Sequence, residues 1–151
     1  MNDVSSRMAQ PQASMATHRQ AIRVYFEDTD AAGIVYYANY LKFAERARTD
    51  MLRDLGISHA DMMKQGGLVL VVRRCAVEYL KPAKLDDLLT VETEVAKFGG
   101  ASVELVQRVL RGAELLAELN VLVVCIDRNG RPYRIPDYVR AALPRATNRS
   151  E

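Results

Sequence analysis

The sequence predicts an α+β domain: one antiparallel sheet covered on its apolar face by one long helix. Three observations carry this. Aliphatic-rich segments come in the order strand, helix, then four strands. The gaps between the last strands are short enough only for hairpins, which favours antiparallel pairing. The single long helical pattern is amphipathic, so it supplies the second layer the sheet needs to bury its apolar side.

The elements follow in order. Residues 1–18, a Ser-, Gln- and Ala-containing stretch without periodicity, read as a flexible N-terminal tail. Residues 19–145 read as one domain, and residues 146–151 as a flexible C-terminal end. Ala21 to Glu27 is rich in aliphatic and aromatic residues and reads as the first strand. From Val35 to about Leu55, Ala38, Leu41, Ala44, Ala47, Met51 and Leu55 recur every three or four residues, predicting the long helix, with Gly56 to end it. Ser58 followed by Asp61 predicts a capped short helix through Gln65. LVLVVRRCAVEYL, LLTVETEVAKF, ASVELVQRVLR and LLAELNVLVVCID read as strands, with turns at Gly99-Gly100, Arg111-Gly112-Ala113 and Asp127 to Gly130. Pro136-Asp137 opens a short terminal helix.

Composition excludes several classes of function. A chain of 151 residues makes one domain, able to bury roughly 68–70% of its unfolded surface. Its 21 basic and 19 acidic residues leave a net charge of +2, without the basic block that would point to nucleic acid. The apolar run Leu68 to Val72 is far shorter than the roughly 20 residues a membrane helix needs, so a soluble chain without a membrane span is expected. Cys75 and Cys125 sit inside apolar runs, and both read as buried packing residues in a reduced, cytoplasmic setting.

The candidate chemistry lies in EDTDAAGIVYYANY, Glu27 to Tyr40, where two acids sit between the first strand and the covering helix. The start of a helix offers unpaired N–H groups and partial positive charge, which stabilise a developing anion. A carboxylate at Asp30 beside the amides near Tyr36 and Tyr37 could attack a carbonyl or activate water while an amide holds the carbonyl oxygen. The competing reading is structural, since Asp makes Asx turns and helix caps without any function. A calcium loop fails. Asp28, Asp30 and Gly33 match its opening, but the fifth position is Ala32, the twelfth is Asn39 where a bidentate Glu is wanted, and a strand rather than a helix precedes the loop. No G-x-S-x-G is present; His18 and His59 are the only histidines, and zinc would need more ligands.

The run RVYFEDTDAAGIVYYANY from Arg23 to Tyr40, followed by FAERAR from Phe43 to Arg48, resembles the signature of the YbgC and 4-hydroxybenzoyl-CoA thioesterase family. Val71 to Arg74, Val77 to Tyr79, Pro82 to Asp87 and Leu122 to Cys125 continue the resemblance in order, over roughly Ile22 to Pro136. The resemblance implies a hotdog fold for the thioesterase domain at 19–145: a curved antiparallel sheet wrapped around one long central helix. It implies hydrolysis of an acyl-CoA to free acid and CoA without metal or organic cofactor, by a homo-oligomer, a dimer assembling into a tetramer, with active sites between subunits. It places the catalytic aspartate on Asp30, makes Asp28 structural, and gives the backbone N–H of Tyr37 the task of polarising the carbonyl. Phe26 and Tyr37 resemble the 4-hydroxybenzoyl-CoA branch, whereas Glu45 to Arg48 and Pro82 to Asp87 look more like YbgC, so the acyl group is left open. Gly33, Tyr36 and Val72 are candidates to line the substrate site. Lys97, ahead of Arg73, Arg74, Arg128 and Arg131, is the candidate for the CoA phosphates. By analogy, the alternative is a non-catalytic binder of acyl-CoA or acyl-carrier protein, or an interaction partner linked to the Tol-Pal envelope system.

Overall fold

The computed structural model describes residues 17–145; the expected terminal tails otherwise lie outside the described residues. Strand β1, His18–Arg23, is followed by a single 3₁₀ turn, Phe26–Asp28. Helix α1 spans Asn39–Asp54 and α2 spans His59–Lys64. Four long strands come next: β2 Val69–Tyr79, β3 Leu88–Phe98, β4 Ser102–Arg111 and β5 Glu114–Ile126; α3, Asp137–Ala142, closes the fold. All strands pair antiparallel in one sheet of order β1-β3-β4-β5-β2.

The two hairpins are local, as their turn residues predict. Gly99 N–H donates to Ser102 O between β3 and β4, and Gly112, at φ +63°, turns the chain between β4 and β5. β1 and β2 reach the sheet over longer connections and take its two edges. Alternation then sorts the faces. Leu89, Val91, Thr93 and Val95 of β3, Val103, Leu105, Gln107 and Val109 of β4, and Ala117, Leu119, Val121, Val123 and Cys125 of β5 are all buried. α1 presses Phe43, Ala44, Ala47 and Met51 onto that face. Its two alanines bring helix and sheet close enough for the buried Gln107 Nε2 to donate to Ala44 O at 3.1 Å.

Some expectations shift. The first strand begins at His18 rather than Ala21, and His18 is half-buried, 2.9 Å from Asp54 Oδ2 through Nε2. The strand stops at Arg23 rather than Glu27 because the Asp28 carboxylate takes Tyr25 N–H and winds 25–28 into the 3₁₀ turn. The helix begins at Asn39 rather than Val35, since Val35 N–H is taken by Ala83 O and Val35 bridges Thr29. Ser58 caps α2 as expected, accepting from Asp61 N–H. The clearest correction concerns Cys75. Cys125 is buried, but Cys75 is exposed, because β2 is an edge strand that α1 does not cover.

Candidate active site

Between β1 and α1 the chain forms a small closed loop that Asp28 holds from inside. This carboxylate is 3% exposed and spends both oxygens: Oδ2 accepts from Tyr25 N–H at 2.8 Å, Oδ1 from Asn39 Nδ2 at 2.9 Å. Its carbonyl oxygen accepts Tyr36 N–H. Asp28 therefore fastens the first residue of α1 to the preceding turn. Its role is positional.

Asp30 stands at the corner of that loop and is exposed in the single chain. Its N–H donates to Ile34 O, Gly33 N–H donates to its carbonyl, and Oδ1 accepts Ala32 N–H at 2.9 Å. The Asx-turn geometry is thus real, and it fixes one carboxylate oxygen while Oδ2 accepts no hydrogen bond among the described residues. Gly33 has φ +81° with open space around the position of a Cβ, so it permits the turn.

Across the loop, Tyr36 and Tyr37 are exposed, their rings 5.0 Å apart. Asn39 N–H bonds Tyr36 O, whereas Tyr37 N–H has no acceptor among the described residues. It is an unspent donor at the N-terminal end of a sixteen-residue helix, where the helix dipole adds positive potential. Tyr37 O accepts from Tyr79 Oη at 2.9 Å, which ties this peptide to β2. Burial pushes the Tyr40 and Tyr79 phenols above the ordinary tyrosine value, so both serve as neutral hydrogen-bonding groups.

The segment Pro82 to Asp87 braces the loop from behind. Ala83 O receives Val35 N–H, and Ala83 N–H donates to Tyr40 Oη. Asp87 Oδ2 holds Lys84 N–H and the Arg111 Nη1 at 2.7 Å, while Arg111 Nη2 reaches Glu114 at 3.0 Å. Burial alone would raise the Asp87 carboxyl, but these hydrogen bonds from Lys84 and Arg111 outweigh it and hold the group below its usual range.

One chain thus brings together Asp30, Gly33, Tyr36 and Tyr37. It does not bring Val72 or Lys97 to them. Lys97 lies at the far end of β3, about 30 Å of strand from Leu88 and the brace. Val72 lines a cavity beside Glu45, Arg48 and Leu52, further along α1. Arg73, Arg74, Arg128 and Arg131 are exposed. The sequence reading passed over Tyr79, Arg48 and Gln107, since nothing local marks which strand residues will face the helix.

The pattern of the Thioesterase-like superfamily matches residues 24–143, which contain the loop, its brace and the whole sheet except β1. The chain belongs to that superfamily and is a thioester hydrolase of the hotdog fold. Within it, the chain is similar to the Acyl-CoA thioesterase YbgC of Haemophilus influenzae, at 45% identity over 81% of this chain and 90% of that one. It is 47% identical to the Acyl-CoA thioester hydrolase YbgC of Escherichia coli O157:H7, over 72% of this chain and 81% of that one. Among solved structures, a probable thioesterase from Bartonella henselae superposes with TM-score 0.77 at 36% identity, covering 80% of this chain and 100% of that one.

Proposed function

We infer that this protein hydrolyses an acyl-CoA to the free carboxylic acid and CoA, with Asp30 supplying the carboxylate and Tyr37 N–H polarising the thioester carbonyl. The observation that carries the reading is the unspent Tyr37 amide at the start of α1, on the same braced loop as a carboxylate with one free oxygen. In one route Asp30 attacks the acyl carbon, the C–S bond breaks, CoA leaves as a thiolate that takes a proton, and water cleaves the mixed anhydride. In the other, Asp30 takes a proton from water, the hydroxide attacks, and the same bond breaks. The similarity to YbgC proteins supports the acyl-CoA substrate.

Assembly belongs to the same proposal. β2 is an eleven-residue edge strand whose outer edge pairs with no strand among the described residues, so a second copy pairing along it would extend the sheet and form a dimer, and two dimers a tetramer. Such pairing would bring a partner subunit's strand toward the loop carrying Asp30.

Replacing Asp30 by Asn should lower turnover by roughly 10²–10⁴-fold and leave the melting temperature nearly unchanged, read by free-thiol release from a panel of acyl-CoAs. Near-normal turnover in D30N overturns the assignment. One observation favours a second reading, a non-catalytic acyl-CoA binder: Oδ1 of Asp30 is already engaged in the Asx turn. Saturable acyl-CoA binding without thiol release would establish it.

A further inference from the structure

The inward face of β2 is only partly covered, with Leu70 and Val77 half-buried against the core. Tyr79, Val77, Cys75, Val72 and Leu70 stand opposite Ala117, Leu119, Val121, Val123 and Cys125 of β5, so they point to the same side of the sheet. Those five β5 residues are buried, yet Tyr79 is 45% exposed, Val72 is 47% exposed, and Cys75 is also exposed. The opposite bank is a stripe of α1: Leu41, Glu45, Arg48 and Leu52 fall within one quadrant of the helix, and Leu41 is 42% exposed. Between them runs a trough floored by β4 and β5. One end lies at the Tyr37–Tyr79 contact. The other deepens into a cavity of about 190 Å³ lined mainly by Leu52, Leu70, Val72, Leu105 and Val123.

At the level of Cys75, the trough holds a cation that makes no ion pair within contact distance among the described residues. Arg48 Nη1 donates to Gln107 Oε1 at 2.9 Å. Gln107 is fully buried and its Nε2 is committed to Ala44 O and Thr93 Oγ1, so its oxygen must face the arginine. No other partner of Arg48 exists among the described residues. Arg111, by contrast, meets two carboxylates. Burial of the Arg48 guanidinium works against its charge, and Glu45 only partly offsets this. Several N–H donors of a partly desolvated guanidinium therefore remain available on a largely apolar wall.

We propose that Arg48 is a specificity-determining residue, its guanidinium binding a hydroxyl oxygen at the remote end of an acyl chain laid along the α1–β2 trough. The proposal rests on the thioesterase reading above, with the thioester held at Asp30 and Tyr37. Two rulers agree on the length. From Tyr37 to Arg48 the helix rises about 16 Å, and from Tyr79 to Cys75 the strand advances about 13 Å. That is the span of an extended acyl chain of roughly ten to twelve carbons. Glu45 stands at the same level, its Oε2 accepting from Thr49 Oγ1 at 3.1 Å, and this negative charge favours a neutral hydroxyl over a terminal carboxylate.

The test compares dodecanoyl-CoA, 12-hydroxydodecanoyl-CoA and the CoA monoester of dodecanedioic acid. The unmodified protein should favour the hydroxy chain over the plain one by about tenfold or more in kcat/KM, with the diacid monoester below the hydroxy substrate. Arg48→Met should abolish that preference, so that the plain and hydroxy chains are handled alike; Arg48→Lys should restore part of it. Cys75→Phe, which leaves the Gln107 bond intact, should narrow the trough and shift preference toward hexanoyl-CoA. Direct binding of the same ligands to D30N separates the two readings: a preference in Kd with no turnover in the unmodified protein sinks the hydrolysis and keeps the trough. Equal handling of plain and hydroxy chains, an unaltered preference in folded Arg48→Met, or an unchanged length profile in Cys75→Phe overturns the proposal.

Discussion

The two edges of the sheet are treated differently by the same helix. Toward β1 and β3, the helix lies on the strands: Ile22, Leu89 and Val91 are buried together with Phe43 and Ala44. Toward β2, the inward residues have the same apolar character but are only partly covered: Leu70 and Val77 are half-buried against the core, while Val72, Cys75 and Tyr79 are exposed. Sequence hydrophobicity is no lower at β2 than at β3. The difference is that one helix cannot cover five strands, so the closed edge contributes stability while the open one is left to a ligand or a second chain.

Truncations should expose that contrast. Phe43→Ala, in the closed half, removes a fully buried ring and should cost about 3–5 kcal/mol in urea unfolding. Val77→Ala on the inward face of β2 should cost about 1 kcal/mol or less in the isolated subunit. Equal costs would mean that the β2 face is already packed in the protein in solution.

The loop between β1 and α1 sharpens the comparison by offering two acids two residues apart. Asp28 is buried with both oxygens bonded; Asp30 is exposed with one oxygen free. Asp28→Ala should therefore cost about 2–3 kcal/mol of stability, because Tyr25 N–H and Asn39 Nδ2 lose their acceptor, and turnover should fall as α1 loosens. D30N should touch turnover alone. Comparing melting temperature with turnover in both variants distinguishes a positioning acid from a reacting one.

The smallest effect belongs to the brace. The Asp87 carboxyl is held below its usual value, so its contribution to stability is fully present above the ordinary unfolded value near 3.9 and is lost as pH falls through the lower folded value. Arg111→Met should lower the urea midpoint modestly at pH 7, and the gap from the unmodified protein should shrink as pH is taken down toward 3. A gap that stays constant with pH would show that Arg111 acts through packing rather than through its carboxylates.

Local chemistry explains what was legible beforehand. Gly99-Gly100 and Arg111-Gly112 mark hairpins because their turns need glycine or tight geometry, and Ser58 with Asp61 marks a cap because both partners lie within one turn. That Asp30, Gly33 and Tyr37 share one loop was legible for a related reason, since that loop is contiguous in sequence; their roles are the proposal made above. The strand Ala21 to Glu27 and the helix start at Val35 were misread at their ends because the deciding acceptors, Asp28 in the turn and Ala83 in the brace, compete with the local pattern. Cys75 was misread because an apolar run has the same appearance in a central strand and in an edge strand.

By itself the sequence determined which segments would be strands and helices, where the chain must turn, and which loop would carry the acids, because each depends on side chains a few residues apart. Only the tertiary structure decided that β1 and β2 take the two edges, that Asp28 is spent while Asp30 keeps an oxygen free, and that Arg48 faces an open trough. Those outcomes depend on pairings between residues tens of positions apart, whose register and cover no local pattern encodes.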